Sequence, residues 1–502
     1  MPIIEYLVFL RLFAILHRLK TFTKNMNIKS LIMPLVAFCF LGLSSCSDDN
    51  GPSYSSTTLK NTELMNILKS KGYTFSQDGK LEINDLVKST VSLDLSGTKL
   101  SDFSGLDILP NLKEVKLSNN GYGPVFDFAQ LPAQITGVDL TGNDIYEFKG
   151  LANTDKVEAT GYEATDIKRH FEKLYLPEGA KYDQDQIVAF YKKSEMDKKA
   201  VDMKMADANG KLNTYNTLRN VPDAIVRKQL YDLFSQLFVI TENKDTLIDV
   251  SRRMTSPEQS NNSIAIFEGK NADGFQYVLH NKSFKGTILG VTSEEYTKVP
   301  YLKMPKQISF FQLEHLDLLN GIDMSANTDL FHGHMYTCRS IKKMDMSHST
   351  KLGQRSIPLE MTDMDVSWVE IKDCPDLEEI MFPKKAYIMN NMTFCYLPKL
   401  KKLDLSQFES FWRCDLYELK NVQIIYPTMK YSVYMGKKTQ ERHSGLGIDQ
   451  DIFDRQETKD FIKNNIKYID NNSFAVEGQY MPHPWERHED VRWMDIWKKN
   501  PW

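Results

Sequence analysis

The amino-acid sequence predicts an α/β fold, a right-handed solenoid whose short parallel strands form one concave sheet. Two observations carry this prediction. A phrase of two apolar residues around one polar residue, followed by serine or threonine, recurs at intervals of 22 and 23 residues early in the chain. The phrase returns in the second half at intervals of 22, 20, 16 and 23 residues. One such unit cannot bury its own apolar residues, whereas stacked units can.

The copies of the phrase fall into two blocks. The early copies are Val91–Gly97, Leu112–Asn119 and Ile135–Gly142. The later copies begin at Ile322, Met344, Met364, Ile380 and Leu403, with a weak last copy at Leu419. A period of 20–29 residues with an L-x-x-L-x-L core is typical of leucine-rich repeats. Asn120, Asn143 and Asn327 occupy the position whose side chain hydrogen-bonds backbone groups between such repeats, and we expect them to be structural.

Domain boundaries follow from where the phrase begins and stops. Residues 91–176 form the first repeat array and residues 302–426 the second, while residues 177–301 are either an α+β insertion or diverged repeats. Residues 59–90 and 427–502 are predicted to cap the two ends, because a solenoid exposes apolar residues there. Leu64, Ile67 and Leu68 share one face of a short helix in the first cap.

The chain begins with a targeting segment, residues 1–45, which is excluded from the fold. Met26 is the expected true start, because a basic stretch, an apolar stretch and Leu43–Cys46 follow it in that order. This order resembles a bacterial lipoprotein signal and implies lipidation of Cys46. Residues 46–58 read as a polar tether, whose acidic start resembles the surface-export signal of Bacteroidetes lipoproteins.

Taken together, the chain resembles the leucine-rich-repeat lipoproteins of Bacteroidetes, with an internalin-like repeat phrase. The resemblance covers the lipid cysteine to about residue 151 and residues 308–425. It implies an outer-membrane lipoprotein that faces the cell exterior, is held in the membrane by its lipid anchor, and recognises a protein ligand. The net charge of −4 provides no field that would attract nucleic acid, so we expect no nucleic-acid partner.

Candidate ligand-binding residues come from the repeat phrase and from tryptophans beside it. The polar residue between the paired apolar positions is expected on the concave face. The candidates are Asp94, Asp139, Asp323, Asp345, Asp365, Asp404, Trp368 and Trp412. Stacked aspartates would repel one another unless a basic ligand or a cation compensates them. The alternative is that the Asp-x-Ser pattern belongs to the repeat phrase and is solvated.

Catalytic and metal-binding patterns are not found, so we expect no enzyme, no cofactor and no metal. His332 and His334 could chelate a metal but lie in an expected inter-strand loop without a third ligand. Cys395 and Cys414 align one repeat apart, which leaves both a disulfide and buried free thiols open. Within 177–301, Ile264–Phe267 and Phe275–Leu279 read as a β-hairpin.

The sequence therefore predicts a non-catalytic surface lipoprotein that binds a protein ligand through its repeats. The alternative is a glycan-binding accessory of a polysaccharide-uptake system, in which Trp368, Trp412 and the tryptophans at the C-terminus stack on sugars. An enzyme housed in the 177–300 segment is a third hypothesis, which a deep acid-lined pocket would support.

Overall fold

The computed structural model describes residues 51–157, 163–178, 180, 182, 184–354, 367–434, 437–477 and 491–492. From Tyr54 onward, the described residues form one compact unit. In the described ranges the structure is mixed α/β, with many strands, few helices and two large sheets that are mostly parallel. The predicted α/β class is confirmed at this level. No helix in these ranges is long and apolar enough to cross a membrane.

The N-terminal segment packs a helix against the first repeats. Its elements are β1 (Tyr54–Thr58), α1 (Thr62–Ser70), β2 (Lys80–Glu82) and α2 (Asp85–Ser89). Helix α1 begins at a side-chain cap, because Asn61 Oδ1 accepts the backbone N–H of Leu64 at 3.0 Å. Leu64 and Leu68 are fully buried on one face, which confirms the helix predicted there. Gly72, with φ of 92°, turns the chain after the helix.

The first large sheet carries the early copies of the repeat phrase. The elements of this region are β3 (Ser92–Asp94), β4 (Glu114–Lys116), β5 (Val125–Asp127), β6 (Gly137–Asp139), β7 (Glu147–Lys149), β8 (Ala152–Val157), β9 (Glu163–Ile167), β10 (Lys173–Leu176), α3 (Ala189–Met196), β11 (Asp202–Ala206) and β12 (Leu212–Thr214). Six of them pair in the order β12-β11-β10-β6-β4-β3, and only β12 is antiparallel to its neighbour. Leu93, Val115 and Val138 stand in register on its buried face.

Two buried asparagines connect the successive strands, as the sequence predicts. Asn120 donates to the carbonyls of Leu95 (3.1 Å) and Leu117 (2.9 Å). Asn143 repeats the arrangement one unit later, donating to Leu117 and Leu140, each at 2.9 Å. Each side chain thus satisfies carbonyls of its own turn and of the preceding one. Buried carbonyls left without a donor would destabilise the fold, so these residues are structural.

The middle of the chain holds strands of both large sheets and an α+β part of its own. Its elements are β13 (Leu218–Arg219), α4 (Ala224–Phe234), β14 (Phe238–Ile240), β15 (Thr246–Asp249), α5 (Pro257–Ser260), β16 (Ile264–Ile266) and α6 (Phe275–Leu279). Strands β13, β15 and β14 form a small antiparallel sheet. Strand β16 instead begins the second large sheet, just as β10 and β11 extend the first.

The hairpin predicted at residues 264–279 is wrong. Strand β16 pairs in parallel with a later strand, and Phe275–Leu279 is the helix α6. Every residue of α6 is buried, so its apolar run carries no period that distinguishes a helix from a strand. Gly274, with φ of 115°, starts the helix directly after the glycine-rich segment.

The second large sheet contains ten strands in the order β16-β17-β19-β21-β23-β25-β27-β31-β32-β33. The elements that follow α6 are β17 (Ile288–Lys298), β18 (Leu302–Lys303), β19 (Phe310–Asp317), β20 (Ile322–Asp323), β21 (His332–Tyr336), β22 (Lys343–Asp345), β23 (Trp368–Lys372), β24 (Glu379–Met381), β25 (Ala386–Cys395), β26 (Lys402–Asp404), β27 (Phe408–Tyr417), β28 (Gln423–Ile425), β29 (Ser432–Tyr434), β30 (Lys437–Thr439), β31 (Ser444–Asp449), α7 (Gln450–Phe453), α8 (Gln456–Asn465), β32 (Ile469–Glu477) and β33 (Val491–Arg492). All neighbouring pairs within it are parallel except β32 and β33.

In this second half, the copies of the phrase at Ile322, Met344, Ile380 and Leu403 lie outside the ten-stranded sheet, and the copy that begins at Met364 falls largely outside the described residues. The strands of the described copies belong to separate two-stranded parallel pairs, β18 with β20, β22 with β24, and β26 with β28. The ten-stranded sheet is built from the longer segments between the copies of the phrase. Both sets of strands pack their apolar residues into the same buried core. In the first half, by contrast, the phrase itself supplies the strands of the large sheet.

A buried polar cluster joins the two halves of the chain. Glu147 on β7 is paired with Lys303 on β18, and the Glu147 side chain is only 4% exposed. Tyr182 donates to the carbonyl of Tyr301 (2.9 Å) and accepts the N–H of Lys303 (3.1 Å). Tyr301 in turn donates to Glu147 Oε2 at 3.3 Å and stands equally far from Asp323 Oδ2. This junction cluster therefore fixes the register between the halves.

We predict that Glu147→Gln lowers the free energy of unfolding by roughly 3 kcal/mol, because it leaves the Lys303 ammonium without its buried counter-charge. Urea unfolding monitored by circular dichroism measures the change. The matched control is Asp232→Asn, which breaks the exposed Lys228–Asp232 pair and is expected to cost under about 1 kcal/mol. Equal effects of the two substitutions would contradict a structural role for the junction cluster.

Candidate functional site

The repeat-phrase aspartates bond mainly to their own backbone turns. Asp94 accepts the N–H of Ser96 at 2.8 Å, Asp345 that of Ser347 at 3.0 Å, and Asp404 that of Ser406 at 3.1 Å. Asp139 and Asp323 likewise accept the backbone N–H two residues later in the chain, that of Thr141 and that of Ser325 respectively. The phrase Asp-x-Ser thus encodes the turn that ends each strand.

Lysines compensate most of these carboxylates, so the expected like-charge stacking does not arise among them. Lys343 lies 3.3 Å from Asp345, and Lys402 lies 2.8 Å from Asp404, each two residues before its partner on the same strand. Burial alone would raise the pKa of Asp345 and Asp404, but the hydrogen bonds to serine and these lysines hold it below its usual range. A basic ligand is therefore not needed to stabilise this row.

The described binding-residue candidates lie on three different sets of strands. Asp94 and Asp139 lie in the six-stranded sheet, whereas Asp323, Asp345 and Asp404 lie on the short strand pairs. Trp368 and Trp412 lie in the ten-stranded sheet. Cys46, Asp365 and the C-terminal tryptophans Trp485, Trp493, Trp497 and Trp502 lie outside the described residues.

The ten-stranded sheet presents a face opposite the core, which we call the outer face. Along each strand, residues such as Met335, Val369 and Ile371 enter the core, and the alternate residues point away from it. Three rows of outer-face residues run in register across β19, β21, β23, β25 and β27. The first row is Phe310, His332, Trp368, Asn391 and Arg413, and the second is Gln312, His334, Glu370, Thr393 and Asp415. The third row is Glu314, Tyr336, Lys372, Cys395 and Tyr417. Aromatic and charged side chains therefore stand side by side.

Glu370 is the centre of the outer face. Trp368 Nε1 donates to its Oε1 at 3.0 Å, and Thr393 Oγ1 donates to the same oxygen at 3.5 Å. Tyr336 donates to Oε2, and the Lys372 ammonium lies 3.0 Å from that oxygen. Burial alone would raise the pKa of Glu370, but Lys372, His334 and Tyr336 overcome it and lower the pKa to about 2. Glu370 is thus a permanent carboxylate that fixes its neighbours.

His334 completes the cluster around Glu370, and we call His334, Tyr336, Glu370 and Lys372 the hub. Its Nδ1 lies 2.8 Å from the Tyr336 oxygen, and because that hydroxyl donates to Glu370, Nδ1 is assigned as the protonated nitrogen. Its Nε2 is buried and has no hydrogen-bond partner among the described residues. Burial lowers the pKa of His334 to about 4, against the opposing effect of Glu370. The imidazole is therefore neutral at physiological pH.

A row of rings lies beside the hub on the outer face. The Trp368 ring is 5.2 Å from that of His334 and 6.0 Å from that of His332, and Phe310 lies 5.4 Å from His334. Trp368 and Phe310 are partly exposed. Because the indole N–H is bonded to Glu370 and the ring edge is packed on histidines, Trp368 is held in one orientation.

Trp412 belongs to a second, separate aromatic group. It packs on a small cluster of Ile388, Tyr431 and Val433, and its ring lies 6.0 Å from Tyr434. Tyr434 is 44% exposed. Trp412 is itself partly buried, so neither tryptophan is fully exposed or fully enclosed.

One expectation about local structure is wrong, and one open alternative is decided. His332 and His334 lie on strand β21, not in a loop, because the segment alternates between core and outer face like its neighbours. Cys395 and Cys414 cannot form a disulfide, since Cys395 pairs with Tyr417 on the outer face while Cys414 enters the core three residues away. The four cysteines of the described ranges, Cys338, Cys374, Cys395 and Cys414, are buried and form no disulfide.

Metal binding has no support in the described residues, because no group of three or more His, Cys, Asp or Glu side chains there could hold an ion. Of the hub residues, Tyr336, Glu370 and Lys372 were missed by the sequence-based interpretation, which followed the repeat phrase, and His334 was considered only as a possible metal ligand. A period-2 pattern of apolar residues between the copies, as in Val369 and Ile371, is the signal that could have located these strands.

We predict that stability falls as the pH drops from 6.5 towards 5, because the unfolded chain protonates His334 while the folded chain keeps it neutral. The free energy of unfolding in urea, measured at half-unit pH steps, gives the slope. His334→Asn is expected to reduce this slope by up to about 1.4 kcal/mol per pH unit. The exposed His348→Asn variant should retain the wild-type slope. A slope unchanged by His334→Asn would show that the imidazole is not held neutral.

The outer face thus places the partly exposed rings of Phe310 and Trp368 beside the charged hub. Comparisons with protein-family models, with curated proteins and with solved structures return no match for this chain. The properties of the outer face itself, its fixed tryptophan, its paired charges and its neutral imidazole, are therefore the basis for a functional conclusion.

Proposed function

We propose that this chain is a leucine-rich-repeat solenoid of the surface-lipoprotein type, which binds a protein ligand through its outer face without catalysis. The proposal includes lipidation at Cys46 and display outward from the outer membrane. The recurring phrase, the parallel in-register strands that carry it in the first large sheet and the asparagines between turns support the repeat assignment.

The observation that carries the binding proposal is the fixed orientation of Trp368. Binding energy at protein interfaces is concentrated in a few aromatic or arginine anchors, which are most effective when they lose little freedom on binding. Trp368 is partly exposed, bonded to Glu370 and packed against two histidine rings. It therefore has the properties of such an anchor before any ligand arrives.

The chemistry of the hub favours binding over catalysis. A general acid or base works best with a pKa near the working pH. Glu370 has a pKa of about 2 and His334 of about 4, so neither group is suited to exchange protons near pH 7. The cleft of about 520 Å³ beside Asp323 and Asp345 is lined by both acidic and basic side chains, including Lys342 and Lys343.

Glycan binding is the second candidate, and the Trp412 group favours it. Tyr387 and Tyr434 are each 44% exposed, and the Lys438 ammonium lies 5.7 Å from the Tyr387 ring. Exposed rings with polar neighbours can stack on sugars. This group is separate from Trp368, so substitutions can distinguish the two functions.

We predict that Trp368→Ala weakens binding of the protein ligand at least tenfold, because it removes the fixed anchor. Intact cells displaying the full chain are treated with a membrane-impermeant cross-linker, and partners are quantified by mass spectrometry. Tyr434→Ala is the matched control, an exposed aromatic residue of the Trp412 group. Circular dichroism verifies that both variants fold.

The two candidate functions give opposite results with these variants. Loss of one defined protein partner with Trp368→Ala but not with Tyr434→Ala supports the proposal. Loss of polysaccharide retention with Tyr434→Ala alone supports glycan binding instead. Cross-linking that occurs only after permeabilisation would contradict outward display.

A further inference from the structure

Five neighbouring strands of the ten-stranded sheet place the same backbone conformation at the same position. His315, Thr337, Asp373, Tyr396 and Glu418 have φ angles of 54°, 51°, 52°, 48° and 50°. Each of them is the next residue in the chain after one of the in-register residues Glu314, Tyr336, Lys372, Cys395 and Tyr417. We call these five residues the left-handed row. Because adjacent strands are about 4.8 Å apart, its side chains form a line along one edge of the outer face.

Tyr396 stands between two carboxylates in this row. Its ring is 45% exposed, and Asp373 and Glu418 occupy the positions on either side. Among the described residues, no cation lies within ion-pair distance of either carboxylate. Burial, followed by repulsion from Glu418, raises the pKa of Asp373, although Lys372 and His315 act in the opposite direction. Asp373 and Glu418 thus repel each other, and neither forms an ion pair among the described residues.

The nearby cations already have partners. Lys372 is paired with Glu370, and Arg413 lies 2.7 Å from Asp415. Arg339 lies 3.2 Å from Asp317. The edge beside Tyr396 therefore carries two carboxylates that form no ion pair among the described residues, whereas these three cations are paired with other carboxylates.

The same edge shows how such a position can be filled. At the start of the left-handed row, the Arg339 guanidinium lies 4.0 Å from the centre of the Tyr296 ring while it pairs with Asp317. The Tyr296 ring in turn lies 6.0 Å from that of His315, the first member of the row. A tyrosine, a carboxylate and an arginine therefore combine within this chain. Tyr396 likewise has carboxylates on either side, but no guanidinium of the described residues occupies the position that Arg339 has at Tyr296.

We propose that Tyr396, Asp373 and Glu418 bind an arginine side chain of the partner protein. The guanidinium stacks on the exposed ring, and its N–H groups donate to the two carboxylates. Arginine fits better than lysine, because its planar group can stack and donate in two directions at once. This inference rests on the proposed function, since it specifies the partner that the outer face recognises.

The test uses the full chain purified in detergent and the peptide Arg-Gly-Arg-Gly-Arg, with citrulline replacing arginine in the comparison peptide. Calorimetric titration at physiological salt measures affinity. The site variant is Asp373→Asn with Glu418→Gln, in which asparagine tolerates the left-handed backbone. The control, Glu242→Gln with Glu258→Gln, removes the same charge at exposed positions elsewhere. Tyr396→Ala tests the stacking contribution separately.

Wild type is expected to bind the arginine peptide at least tenfold more tightly than the citrulline peptide. The site variant and Tyr396→Ala should each lose most of that difference, and the control should keep it. Equal loss in the site and control variants, equal binding of both peptides, or no binding at millimolar peptide would overturn the proposal. This outcome is independent of Trp368-dependent capture on cells, so either proposal can fail while the other stands.

Discussion

In-register parallel pairing is the constraint on which the rest of this structure depends. Each unit contributes only a few apolar residues, such as Val369 and Ile371, and these are buried because the strands on either side supply their neighbours. The same pairing sets every alternate side chain in a column on the outer face. Removing the register would simultaneously open the core, separate Glu370 from Tyr336 and disperse the aromatic row. Stability and the candidate binding surface therefore have one physical origin.

The polar residues serve two distinct purposes. Within the repeat phrase, aspartate and serine close turns, and buried asparagines join one turn to the next. On the outer face, Glu370 is surrounded by donors from three strands, which holds Trp368 in place. A buried carboxylate is costly unless it is fully bonded, and this one accepts four donors or cations. The cost of burial is offset only while the neighbouring strands stay aligned.

The sequence allowed the α/β class and several strands of the first large sheet to be predicted, but neither the ten-stranded sheet nor the candidate site. The period located the strands around Leu93, Val115 and Val138, and it identified Asn120 and Asn143 as structural. It also drew attention to the aspartates, whose regularity reflects turn formation. The strand carrying Trp368 and Glu370 lies between copies of the phrase, and its partners across the sheet are set by tertiary pairing. A local pattern contains no information about which distant carboxylate an indole will meet.

Hydrogen exchange followed by mass spectrometry tests the central claim most directly, namely that the strands of the ten-stranded sheet hold one another in register. If they do, the amides of β19, β21, β23, β25 and β27 should exchange slowly and open together, with one common free energy. Strands that open independently, with β23 exchanging rapidly while β21 and β25 remain protected, would contradict the account. In that case the outer face could not be a preformed surface.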